Sequence, residues 1–370
     1  MTFKLPEYHE PLFNEPPLKN APFARTAPAP SDGVAPPDFH ALSIFPEYFK
    51  VDNASTENSK NWLLPAESRM DCVPVLRDSV SGPWIDVVEF RRLKRGDPVV
   101  TGRTEDGSEG IYVDSRAFRE EKSQDSFAFR TGRSRETAYS RDYDELYELL
   151  RYEKEHGHIV WVLGPAVSFD HDSRQATVSI IEKGYAHAVL AGNALATHDL
   201  EGAVLKTALG QDIYTQESRP NGHYNHLDLL NMARGYGSIE KLIEMEKINS
   251  GIVHAAMKKG VPLVLAGSIR DDGPLPEVYG NVYEAQDAMR NHIRKATTII
   301  ALATQLHTIA VGNVTPSYAV RGGKVRPVYF YSIDVSEFAV NKLRDRGTLS
   351  VIPIVTNVQD FLVLLKNNLR

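Results

Sequence analysis

Six stretches of this chain are apolar at nearly every consecutive position: HIVWVLGPAV (158–167), HAVLAG (187–192), PLVLAGS (262–268), TIIALAT (298–304), VYFYSID (328–334) and VIPIV (351–355). A strand with one face in water alternates apolar and polar residues, so runs this continuous belong to strands buried on both faces. Between them lie segments with helical spacing, at 173–184, 227–247, 281–296 and 337–347. Strands alternating with helices imply an α/β fold, a doubly wound, mostly parallel sheet with helices on both sides. A further helix is expected over 142–157, ending at Gly157.

The residues before this pattern differ in kind. Nine of the 22 prolines fall within the first 37 residues, which denies that segment backbone donors and predicts an extended arm. Phe3, Tyr8, Phe13 and Phe23 lie within it, so it either hangs free or packs on its own body or on a neighbouring subunit. From 38 to about 135, short β-like runs (49–53, 70–76, 84–90, 97–102 and 110–114) separated by turn residues predict a small β-rich domain. The polar, arginine-rich stretch 120–137 reads as a connector. The expected organisation is an arm at 1–37, a β-rich domain at 38–135 and a Rossmann-like catalytic domain at 140–370.

Composition narrows the function. A single cysteine, Cys72, cannot form an internal disulfide or supply a multi-thiolate metal site, which suits a reducing cytoplasm. Its apolar surroundings predict a buried, inert thiol. A net charge of -6 without a long basic run does not advertise nucleic-acid binding, and no apolar run is long enough to cross a membrane.

In doubly wound sheets the ligand lies beyond the carboxyl ends of the strands, where strand order reverses. Residues just past the apolar runs are therefore the candidates. They include Asn193, Ala194, Arg270, Asp271, Asp272, Thr304, Gln305, Leu306, His307, Asp334, Asn357 and Val358. The glycines do not spell GxGxxG, yet AGNALA and AGSIRDDG offer close backbone approach before possible helix N-termini, where amides favour phosphate. Asp334 ends a strand, so it either accepts bonds from ribose hydroxyls, favouring NAD over NADP, or caps the next helix. Asp271 and Asp272, ahead of a rigid GPLP turn, either meet a cationic amine and a ribose or nicotinamide group, or cap a helix. His223 and His226 precede an amphipathic helix and suit proton transfer, substrate binding or capping. They lack the carboxylate context of a zinc enzyme, and no metal site is expected.

The runs at 189–203, 221–239, 264–290, 302–313 and 332–348 together resemble the archaeal-type ornithine cyclodeaminases, also described as the LOR/SDH-region family. The same family forms the C-terminal portion of cyanobacterial arginine dihydrolase fusions. The likeness runs from about Ser31 to the C-terminus. It implies a Rossmann-like sheet similar to that of deoxyhypusine synthase, a bound NAD, and conversion of L-ornithine to L-proline with loss of ammonia. It also implies a homo-oligomer acting on a small amino-acid or amine substrate. NAD contacts would then fall on Asn193, Ala194, Asp272, Thr304, Gln305, Leu306, His307, Asp334, Asn357 and Val358. In the chemistry so implied, Asp271 neutralises the cationic amine, His223 or His307 relays protons, and Arg270 binds the carboxylate.

The chain departs from the family pattern at several points. Thr356-Asn357-Val358 stands where TDV is usual, and Tyr224 stands where an arginine is expected in a GGHRxHL segment. Ser168 to Asp172 replace a histidine- and glycine-rich stretch, and residues 319–328 resemble an insertion. The competing readings are a related NAD-dependent enzyme for another amine, and a non-catalytic NAD-binding protein.

Overall fold

The structure is a computed structural model that describes residues 3–52, 57–118, 140–269, 271, 274–336, 340 and 350–370. The expected connector at 120–137 and most of the expected helix at 337–347 lie outside the described residues.

The N-terminal part contains strands β1 (Arg25–Pro28), β2 (Glu47–Lys50), β3 (Trp62–Leu63), β4 (Cys72–Arg77), β5 (Trp84–Glu89), β6 (Pro98–Thr101) and β7 (Ile111–Val113). They form two antiparallel sheets, ordered β1-β6-β4-β5 and β3-β2-β7. Alternation along the strands decides which residues face inward. Cys72, Ile85, Val87 and Val100 join Phe49 and Ile111 in a core between the sheets, while Val73, Val75, Val88 and Val99 build a second core on the opposite face. Cys72 is buried, and burial pushes its thiol up to about 12.

The proline-rich segment is not free. It supplies β1 at a sheet edge, where prolines are tolerated. Phe13 stacks on Trp62 at 5.2 Å, and Phe3 reaches Tyr152 and Tyr329 of the larger unit. Gly110, at φ 76°, lets this segment pass: a Cβ there would lie 2.5 Å from the Ala24 backbone nitrogen.

The larger unit runs in chain order through α1 (Ser140–His156), β8 (Ile159–Leu163), α2 (His171–Glu182), β9 (Ala188–Gly192), α3 (Asn193–Val204), the hairpin β10 (Thr207–Ala208) and β11 (Gln211–Asp212), α4 (Asn225–Tyr236), α5 (Ile239–Met245), α6 (Ile252–Lys259), β12 (Leu263–Ala266) and α7 (Val282–Ile293). It continues with β13 (Thr298–Leu302), α8 (Gln305–Val314), the hairpin β14 (Tyr318–Arg321) and β15 (Lys324–Pro327), β16 (Tyr329–Asp334), β17 (Ser350–Val355) and α9 (Val358–Asn368). All six apolar runs form strands. The periodic segment 227–247 breaks into α4 and α5 because Gly237 takes a left-handed φ of 83° and Ser238 then caps α5.

These six strands form one parallel sheet in the order β12-β9-β8-β13-β16-β17. On β8, Ile159, Trp161 and Leu163 face a core made with α1, α2, α3 and α9, whereas Val160 and Val162 face α7 and α8. Both faces are thus covered, which explains the unbroken apolar runs. Each fully buried residue of this kind is worth about 1.5–3 kcal/mol of apolar transfer.

The two units are joined by ions as well as by the chain. Arg69 bonds Glu89, which Arg290 of α7 approaches at 2.7 Å, and Arg294 lies 2.8 Å from Glu67.

Candidate active site at the carboxyl ends of the parallel strands

The chain enters the sheet at β8, adds β9 and β12 on one side, then returns to add β13, β16 and β17 on the other. The strand ends of β8 and β13 therefore diverge, and a crevice opens between the loops that leave them. Gly164 follows β8, and its N–H donates to Leu302 O at 2.8 Å. A Cβ at this position would lie 1.9 Å from the Ala303 carbonyl oxygen, so only glycine fits. Ala303, directly after β13, holds φ at 51°, a conformation that costs an ordinary residue free energy and concentrates at functional sites. Neither position carries a signal in the GxGxxG sense. The constraint on Gly164 comes from a strand distant in sequence.

One side of the rim gathers Gly192, Asn193, Asp271 and His307. Gly192 ends β9, and a Cβ there would lie 2.8 Å from His307 Cε1. Asn193 opens α3, and its Oδ1 accepts from Leu275 N at 3.0 Å and Thr197 Oγ1 at 3.3 Å, which fixes the end of the loop after β12. Ala194 is the next residue of α3. Within that loop the Asp271 carboxylate accepts from Ser268 N at 2.7 Å. His307 lies in the first turn of α8, behind Thr304 at the N-cap and the exposed Gln305 and Leu306. Burial pushes the His307 imidazole below its ordinary range, and the Asp271 charge opposes that shift. A histidine so placed is neutral at neutral pH, with a carboxylate at hand to stabilise its cation.

On the other side a cleft of about 620 Å³ is lined by Ala166, Phe169 to Ser173, Ile213, Tyr214, Gln216, Ala303, Asp334, Val335 and Asn357 to Gln359. Asp334 Oδ1 accepts from Ser336 N at 2.9 Å, and its other oxygen has no partner among the described residues. Asn357 caps α9 by accepting from Gln359 N, and Gln359 Nε2 donates across the cleft to Asp170, the cap of α2. The departures from the family pattern at 168–172 and at Asn357 thus face one another across this cleft.

His223 lies elsewhere than expected from a proton relay. It is exposed in the turn before α4, its ring rests 4.2 Å from that of Tyr224, and no described contact joins it to Asp271 or His307. Arg270 and Asp272 lie outside the described residues. Among the described residues no group of three or more His, Cys, Asp and Glu side chains could hold a metal ion, and no helix is long and apolar enough to cross a membrane.

A six-stranded parallel sheet in this order, with a crevice at the reversal and an acid ending a strand within it, places the chain among the doubly wound, Rossmann-like α/β proteins, whose ligands lie in that crevice. Comparison with known proteins narrows the class. The signature of the family described as "Arginine dihydrolase ArgZ-like, C-terminal, Rossmann fold" matches residues 145–365. An ornithine cyclodeaminase of Archaeoglobus fulgidus is 38% identical over 347 residues, 92% of this chain and 77% of its own length. The crystal structure of a conserved LOR/SDH protein from Methanococcus maripaludis has a TM-score of 0.82 at 32% identity, covering 94% of this chain and 98% of that one. A ternary complex of AgrE with ornithine and NAD+ has a TM-score of 0.56 at 29% identity, covering 95% of this chain and 46% of that one. The chain belongs to the ArgZ-like C-terminal Rossmann-fold family.

Proposed function

We propose that this protein is an NAD-dependent ornithine cyclodeaminase, converting L-ornithine to L-proline with release of ammonia. The observation that carries this reading is the placement of His307 against Gly192 and within the field of the Asp271 carboxylate, beside a cleft at the reversal of strand order. Relatives named ornithine cyclodeaminases, matched over most of their length, support it, as does the AgrE complex with both ligands.

The residues present suit NAD. Asp334 has an oxygen for ribose hydroxyls and a charge that repels a 2'-phosphate. Asp334, Asn357 and Val358 then hold one half of the dinucleotide, and Asn193, Ala194, Asp272, Thr304, Gln305, Leu306 and His307 the other. Bound NAD supplies a hydride acceptor that later returns the hydride, so the reaction has no net oxidation. Asp271 neutralises the substrate's cationic amine. His307, neutral through burial, takes a proton from the α-ammonium, which prepares the Cα centre for hydride loss. This places His307, rather than His223, at the α-nitrogen. Arg270 is assigned to the substrate carboxylate.

We further place this chemistry in a residue 140–370 catalytic domain that follows an arm at 1–37 and a β-rich domain at 38–135. A reducing cytoplasm suits the single buried cysteine, and the family resemblance implies assembly as a homo-oligomer. Tyr224 and Asn357 favour one alternative, a related enzyme for another diamino acid. A panel of ornithine, lysine and 2,4-diaminobutyrate separates the two. Preferred formation of proline and ammonia from ornithine, without net reduction of NAD, supports the first reading, and turnover of another amine alone overturns it.

A further inference from the structure

The site just described offers Asp271 to a cationic amine and His307 as the base at the α-nitrogen, but it names no base for the second nitrogen, which must shed a proton before it can attack. Helix α3 begins at Asn193 in the rim and carries His198 five residues further on, about 7.5 Å along the axis at the α-helical rise.

His198 is 7% exposed, and its Nδ1 lies 2.9 Å from Oε2 of Glu201. Glu201 is fully buried and accepts from Thr207 Oγ1 at 2.7 Å and from the backbone N–H groups of Leu209 and Gly210, each at 3.2 Å. With donors on every side the carboxylate acts as an acceptor, so the proton of a neutral His198 sits on Nδ1 and the lone pair on Nε2. Lys206 at φ 62° and Leu209 at φ 52° hold the loop that supplies those donors, so the arrangement is built at a cost in backbone strain.

Nε2 itself has no partner among the described residues. The ring stands edge-on to Phe169, which lines the large cleft, at 5.7 Å. Of titratable groups, Glu201 faces the ring from its own helix and His226 faces it from α4, with ring centroids 6.3 Å apart. The neighbouring Asp199 is turned away, its carboxylate bound to Arg174 Nε and Val253 N, each at 2.9 Å. Glu201 alone would suffice to pin the loop after α3. The imidazole adds a base whose free nitrogen is oriented.

We propose that His198, oriented by Glu201, is the base for the side-chain amine of the substrate, a role that rests on the cyclodeaminase reading. Nε2 takes one proton from the side-chain ammonium. The freed lone pair forms a bond to Cα, which is at that stage the carbon of a protonated imine; His198 returns its proton to the α-nitrogen, takes the surplus proton of the new ring nitrogen, and the α-nitrogen leaves as ammonia as the ring C=N forms. The hydride that left Cα returns to the ring carbon, so protons and electrons balance.

The test compares the full-length wild type with His198→Asn, whose amide can still donate to Glu201. NAD affinity by fluorescence titration should change less than about twofold, and the first rise in reduced-cofactor absorbance on mixing with ornithine should persist. Decay of that signal, which reports ring closure, should slow about 100-fold or more. Hydrolysis of the waiting imine should then divert product from proline to the 2-keto acid. Equal slowing of rise and decay, or an unchanged share of proline, would overturn the assignment of His198. Should the variant fail to hold NAD, Glu201→Gln is read in its place: a slowed decay with an unchanged rise is expected, and an unchanged decay overturns the inference. A wild type that makes no proline overturns the parent reading, whereas one that makes proline while His198→Asn closes the ring at the same rate overturns only the role of His198.

Discussion

His307, beyond the carboxyl ends of the parallel strands, and His158, at their amino ends, are both pushed below the ordinary imidazole range by burial. Their neighbours differ. His307 meets the carboxylate of Asp271 and the open rim around Gly192. His158 meets the cationic or potentially cationic His187, Arg321, His292 and Lys295, which push it further down, to about 4, and its Nε2 is buried without a partner among the described residues. Around His158 the polar groups serve the fold: Thr297 Oγ1 accepts from His158 N at 2.8 Å and donates to Glu153, which Arg326 pairs. A shifted histidine alone therefore does not mark a reactive site. The role proposed for His307 rests on the shift together with a countercharge, at a crevice where strand order reverses.

The largest expected effect tests that distinction directly. His307→Asn should lower turnover by about 100-fold to 10,000-fold while the protein keeps its melting temperature to within a few degrees. A variant with near-normal turnover would remove His307 from the proton path. At the neighbouring cleft, Asp334→Asn should weaken NAD binding by about tenfold or more and narrow the preference for NAD over NADP, measured by titration with each. Unaltered preference would leave Asp334 as the turn residue that its bond to Ser336 N also makes it.

Changes at the amino ends should behave in the opposite way. Thr297→Val removes a hydroxyl that serves Glu153 and His158 at once, and should cost about 1–3 kcal/mol in denaturant unfolding with turnover per folded molecule unchanged. A loss of turnover without a loss of stability would erase the contrast between the two ends. The smallest effect is the response to acid. The folded value of His158, about 4, lies below the ordinary value of 6.5, so the unfolded chain takes up the proton first as pH falls. Its contribution is complete above about pH 6.5 and is lost progressively as pH drops toward 4. The melting temperature should decline over that window, and His158→Gln should flatten part of the decline.

Much of this was legible in the residues because burial on both faces leaves an unmistakable mark. Each of the six apolar runs became a strand of the parallel sheet; Asn193 directly follows one of them, Asp334 ends another, and His307 lies three residues past a third. What could not be read was long-range. The glycine demanded at 164 is demanded by the Ala303 carbonyl on another strand, and the strain at Ala303 has no signature in an alanine. His223 attracted attention through the spacing of its neighbours, yet the fold leaves it on an exposed turn. His198 and Glu201, separated by one helical turn, look in sequence like an ordinary surface pair. Only the burial of Glu201 and the donors from residues 207–210 show that the pair is inside.

The central claim is that the hydride taken from Cα is held within the site and returned to the same molecule's ring. L-Ornithine deuterated at Cα, incubated in ordinary water with the protein and NAD, tests it most directly, with the proline examined by mass spectrometry and NMR. The account predicts proline that keeps its deuterium at Cα. Proline formed with that deuterium exchanged for solvent hydrogen would contradict it.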